Sequence, residues 1–226
     1  MTAFWRVVWI VVRKDLAIEA RSLELLNTTV FFALSCVIIF AVSFVREKPL
    51  GDAAAGILWV AIAFAGTLAL GRTFERERYA DTLRALLLAP SERPAIYVGK
   101  LIGILSLLAA TEIVLVPLVA LLFQAGLFSH PLLMGALLIF GTIGFASVGT
   151  LFAAMLARAR SRDVLLPILL YPVTIPVMIA GVKGTSALLD ATPQLQMAGM
   201  WILLLVCFDV VFLTLSLWTF DPLMTE

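Results

Sequence analysis

Six stretches of about 18 or more mostly apolar residues constrain this chain more than any other feature, because roughly 20 helical residues cross the ~30 Å hydrocarbon layer of a bilayer. They lie at approximately 27–45, 54–71, 101–123, 131–157, 164–182 and 198–220. Hydrophobic residues make up 62% of the chain and charged residues only 14%. A mean hydropathy of +1.09 exceeds what one water-excluding core can hold. Backbone polar groups in lipid must be satisfied within the spanning structure, and runs of this length select helices over barrel strands. The expected fold is an all-α polytopic membrane protein with one membrane domain over 1–226.

The charges are segregated rather than balanced locally. Residues 1–25 mix tryptophans and aliphatics with Arg6, Arg13, Lys14, Asp15, Glu19 and Arg21, which predicts an interfacial helix ahead of the six spans. This helix lacks the small-residue cleavage site of a removed signal peptide. With the N-terminus inside, thirteen Lys and Arg fall on the inner side and three, Arg46, Lys48 and Lys183, on the outer. The positive-inside rule therefore predicts both termini and the segment 72–100 in the cytoplasm. That segment holds six of the sixteen Lys and Arg residues. Within it Tyr79, Ala80, Leu83, Leu86 and Leu87 form one helical stripe, with Asp81 and Arg84 opposite, and Pro90 and Pro94 end the pattern. Such a helix either rests on the inner leaflet or docks into a partner's groove.

Several residues inside or beside the spans carry chemistry. Glu112 and Asp209 sit in the third and sixth spans, where an ionised acid costs about 2.5 to 3.5 kcal/mol. Each is therefore protonated, paired or facing a polar cavity. A proton or substrate role competes with a structural hydrogen bond between helices or to a partner subunit, which is favoured. Pro167, Pro172 and Pro176 in the fifth span each remove a backbone donor, so this helix is expected to kink and to be buried against its neighbours, either as a flexible element facing a translocation path or subunit interface or as a kinked packing helix. His130, in an outer loop, is of the residue type that ligates haem iron, but a single loop histidine more simply has no such role. Cys36 and Cys207 have no disulfide or haem-attachment spacing and read as inert packing within apolar runs. "GTLALGRT" (66–73) imitates a phosphate-binding loop, yet it ends a membrane helix and lacks the preceding strand. Gly141, Gly144 and Gly149, with Gly99 and Gly103, read as close helix packing. No metal site and no nucleic-acid partner are expected.

"ERERYADTLRALLLAP" followed by "YVGK" resembles the cytoplasmic coupling segment of ABC-2-type export permeases, roughly E-x-E-x-G-T-L-x-x-L-L-x-x-P, with Ala80 and Asp81 where a glycine is common. More narrowly, "RKDLAIEARSLELLNTTVFFALSCVIIF", "GRTFERERYADTLRALLLAP" and "LLPILLYPVTIPVMIAG" are similar to the haem exporter B family, the permeases of the cytochrome c maturation system, over nearly the full length. The resemblance implies an ABC-2-type permease fold, with 1–25 as an elbow helix and 72–100 as a coupling loop. It assigns ATPase coupling to Glu75, Glu77, Tyr79, Asp81, Leu83, Leu86, Leu87 and Pro90. It further implies a bacterial inner-membrane complex with a cytosolic ATPase subunit that holds the ATP, a haem-handling membrane subunit, a small accessory subunit and a haem chaperone. Its ATP use supports cytochrome c maturation, by haem export or by release of the loaded chaperone. Haem is then substrate rather than covalent cofactor, and the chain is a transporter subunit rather than an enzyme. Two other readings stay open: an ABC-2 exporter for lipid, polysaccharide or drug, and a proton-coupled transporter using Glu112 and Asp209.

Overall fold

Backbone amides in hydrocarbon have no water to turn to, and the chain answers with helices that satisfy them internally. The computed structural model describes residues 2–44, 51–79, 93–156, 159 and 161–223. Among the described residues there are seven helices and no strand: α1 (Thr2–Ser22), α2 (Glu24–Phe44), α3 (Gly51–Tyr79), α4 (Arg93–Leu122), α5 (Pro131–Met155), α6 (Arg162–Leu189) and α7 (Leu195–Leu223). The last six are long and apolar enough to cross a membrane, which makes this a multi-pass membrane protein.

The helices alternate in direction, so one end of the bundle gathers the basic segments: α1, the end of α3 and the starts of α4 and α6. α5, α6 and α7 pack against one another, α3 bridges to α4, α5 and α6, α2 lies on α3 and α4, and α1 lies along α4. The core divides into two halves. One surrounds Trp59, Val119, Met134 and Leu137, and the other, toward the basic end, surrounds Leu70, Tyr97, Phe145 and Leu166.

Small residues decide how close the helices come, because dispersion contacts replace the hydrophobic effect inside lipid. Trp59 of α3 is 1% exposed and lies against two glycines. A Cβ at Gly141 of α5 would meet its ring at 2.1 Å, and one at Gly181 of α6 at 2.4 Å. One turn after Gly181, Thr185 Oγ1 accepts the indole N–H at 3.0 Å. Leu70 fits Gly149 and Phe145 fits Gly66 in the same way. Gly66 thus belongs to a helix contact, and α3 runs unbroken through the segment that imitates a phosphate loop.

Three boundaries depart from expectation. Tyr79 still belongs to α3 and α4 begins at Arg93, so both ends of the expected 72–100 loop are helical. α6 extends to Leu189, which places Lys183 in a helix rather than an outer loop. α6 is also less covered than expected: Leu166, Leu170, Thr174 and Val177 form its buried stripe, while Pro172 and Pro176 face outward. A stripe at i, i+4 spacing leaves the other side of a helix open, and the helical assignment continues through all three prolines. The two thiols are not packed in the core either, since Cys36 is half-buried and Cys207 exposed. An apolar run facing lipid needs no core position for its cysteine.

Gly141→Ala is expected to force Trp59 out of its slot at a cost of about 1 to 3 kcal/mol. In a detergent thermal-shift assay it should lower Tm by several degrees, whereas Gly56→Ala, whose Cβ meets nothing within 4 Å, should not. Equal Tm values would remove Trp59 from its structural role.

Candidate functional site

At the basic end, α1 is tied to α4. Val8 and Val12 pack with Ala95, and a Cβ at Gly99 would meet Val11 at 2.8 Å. Lys100, only 3% exposed, ion-pairs with Asp15 at 2.7 Å, and Lys14 lies 3.2 Å from the same carboxylate. Glu19 Oε1 accepts the Leu26 amide at 2.8 Å and so caps the first turn of α2 across the elbow. The elbow itself is Leu23, whose φ of 51° is a left-handed conformation uncommon for a branched side chain. On the outer face of α1, Trp5, Trp9 and Ile10 are each more than half exposed. One helix thus offers valines to the bundle and tryptophans away from it.

The Asp15–Lys100 pair is not visible along the sequence, where Lys100 falls at the end of an expected loop. No local spacing marks it, since its partners are 85 residues apart. The available signal is one Asp and one Lys in two largely apolar segments, where buried charges are found paired.

Of the coupling residues, Asp81, Leu83, Leu86, Leu87 and Pro90 lie outside the described residues. Glu75, Glu77 and Tyr79 belong to the last turns of α3, and their side chains also lie outside the described part. α3 is 29 residues long, and its membrane-compatible part ends at Thr73. The remaining turns carry the Glu-Arg-rich stretch past that boundary.

The two intramembrane acids are buried but not together. Thr142 of α5 donates its hydroxyl to Glu112 Oε1, the interhelical bond expected for a structural acid. Neither carboxylate oxygen of Asp209 has a hydrogen-bond partner, although the residue is 5% exposed. Its closeness to α5 depends on Gly144, where a Cβ would meet Oδ1 at 2.7 Å. Thr142 and Gly144 are two positions apart, which turns them about 200° around the helix. α5 therefore stands between the acids; Glu112 has an interhelical partner and Asp209 has none among the described residues.

The prolines are divided as well. Pro167 borders a cavity between α2, α3 and α6, whereas Pro172 and Pro176 are exposed on the outer side of α6. Thr174 Oγ1 donates to Leu170 O at 2.9 Å, a side-chain bond inside the proline-rich turns. His130 caps α5 only through its backbone. Among the described residues no group of three His, Cys, Asp or Glu could hold a metal ion.

Comparison with known proteins places the chain in a family. The chain is 29% identical over 170 residues to heme exporter protein B of Haemophilus influenzae, covering 75% of this chain and 76% of the relative. It is 27% identical over 184 residues to heme exporter protein B of Pseudomonas aeruginosa, covering 79% and 82%. The CcmB protein family model matches residues 6–222. With six long apolar helices matched almost end to end, the chain belongs to the CcmB family.

Proposed function

We propose that this protein is the permease subunit of an ABC transporter for cytochrome c maturation. In this reading ATP hydrolysis by a separate cytosolic subunit drives haem export or release of a haem-loaded chaperone. The carrying observation is the family match over residues 6–222 together with two relatives named as heme exporter proteins. The complex would include a haem-handling membrane subunit and a small accessory subunit, in a bacterial inner membrane with both termini cytoplasmic. The excess of Lys and Arg at one end of the bundle supports that orientation. α1 then lies in the cytoplasmic interface with Trp5 and Trp9 at headgroup level, as amphipathic aromatics prefer.

The coupling device we propose is the segment 72–100. The continuation of α3 beyond Thr73 would carry Glu75, Glu77 and Tyr79 out of the membrane toward the ATPase. Tyr79, Leu83, Leu86 and Leu87 would fill an apolar groove on it, with Asp81 at the rim and Pro90 ending the stripe. Each large apolar side chain buried there contributes roughly 1.5 to 3 kcal/mol, much of it offset by the costs of association. Force arriving at this segment would reach α4 and, through Lys100 and Asp15, the elbow helix. Pro167, Pro172 and Pro176 would let α6 change its bend in response.

Leu83→Asp combined with Leu86→Asp should abolish ATPase co-purification and cytochrome c maturation while the six spans remain inserted; retention of the ATPase in detergent would refute docking. Pro172→Ala with Pro176→Ala should leave a stable complex with reduced maturation, measured by haem-stained cytochrome c. Full activity would make the prolines a packing detail. Glu112→Gln preserves the acceptor for Thr142 and is expected to leave maturation near wild type. Asp209→Asn tests the unpartnered acid: if cytochrome c yield falls while protein level and assembly hold, Asp209 acts beyond packing, and an unchanged yield makes it structural.

A further inference from the structure

We propose that the groove between α2, α3 and α6 at the basic end of the bundle binds one phospholipid with a net anionic headgroup. Its assignment to the cytoplasmic leaflet rests on the orientation proposed above, whereas the chemistry of the groove does not.

The cavity measures about 480 Å³ and is bordered by Phe32, Phe64, Thr67, Arg72, Pro167 and Tyr171 among others, within the size range of small-molecule sites. It has two levels. At the apolar level Phe32, Phe64 and Tyr171 form an edge-to-face chain, with ring centroids 6.3 and 6.2 Å apart. The Tyr171 and Thr67 hydroxyls share a hydrogen bond at 3.2 Å, so the phenol is already satisfied and the rings present carbon. At the rim stand Gly71, Arg72 and Asp163. Arg72 is eight residues beyond Phe64 on the same helix, hence about 12 Å away along the axis at 1.5 Å per residue. An amphiphile spanning these levels places its head in the interface and its apolar body on the rings.

The sign of the head follows from the rim. Arg72 is exposed. α6 begins there, and its N-cap residue Ser161 makes no side-chain capping bond, so the positive end of the helix dipole faces this mouth without that cap. Arg162 is 5% exposed; its Nη2 donates to Gly71 O at 2.6 Å, while its Nη1 has no partner. Arg162 does not line the cavity, so it contributes positive charge behind the rim rather than a donor to an occupant. Against these stands Asp163, 3.7 Å from Arg162 Nε and with a side chain 85% exposed. A phosphodiester brings the acceptor oxygens that arginine recognises. A zwitterionic head would add a cation to a mouth that already has Arg72 and a helix N-terminus, with the charge of Arg162 behind them. Pro167 removes the amide that would bond the Asp163 carbonyl, so an occupant also braces the first turns of the proline-rich helix.

Native mass spectrometry of the full chain in detergent, titrated separately with phosphatidylglycerol and phosphatidylcholine, tests the site. One phosphatidylglycerol should be retained in preference to phosphatidylcholine, and Arg72→Gln should reduce that preference about fivefold. Arg13→Gln on α1 should leave it unchanged, and Phe64→Ser should weaken retention of both lipids. Equal retention of the two lipids by the wild type, or an unchanged preference in Arg72→Gln, overturns the proposal. So does haem that displaces phosphatidylglycerol with a Soret shift lost in Arg72→Gln, because the groove would then be a haem site. An inverted orientation would leave these binding results intact and would appear instead in labelling of cysteines introduced at the chain ends, so the two failures are separable.

Discussion

In hydrocarbon no water is released when two helices meet, so the bundle depends on atoms touching at short range. Trp59 is where that requirement is most concentrated. Its ring occupies the space that side chains at Gly141 and Gly181 would take, and its N–H finds Thr185. Three helices, α3, α5 and α6, are thereby fixed at one separation. Leu70 against Gly149 and Phe145 against Gly66 repeat the device nearer the basic end, so the register set at Trp59 extends along the same pair of helices.

That register positions the polar groups. α5 presents Thr142 to Glu112 and Gly144 to Asp209, and so serves one acid with a hydroxyl and the other with bare backbone. At the basic end the same arrangement brings Arg162 to the carbonyl of Gly71 and Lys100 to Asp15. Breaking a buried ion pair leaves a charge uncompensated. The pair therefore resists separation of α1 from α4.

Much of this is legible from the residues. The six apolar runs and the small-residue contacts of α5 follow from local composition, because lipid tests every residue of a span in the same way. Other features are not legible. The reach of α3 to Tyr79 and of α6 to Leu189 escapes a hydropathy reading because charged residues can continue a helix after it leaves the hydrocarbon. The outward face of Pro172 and Pro176 depends on which stripe of α6 its neighbours cover.

By itself, then, the sequence determined the number and approximate place of the membrane helices and the family resemblance, since both are written in consecutive residues. Only the tertiary structure decided that Glu112 is hydrogen-bonded while Asp209 has no partner among the described residues, that α5 separates them, that Lys100 is buried against Asp15, and that Arg72 and three aromatic rings border one groove. Those relations join residues from different helices. They depend on the rotation and depth of each helix, which side-chain packing sets and hydropathy along the chain does not encode.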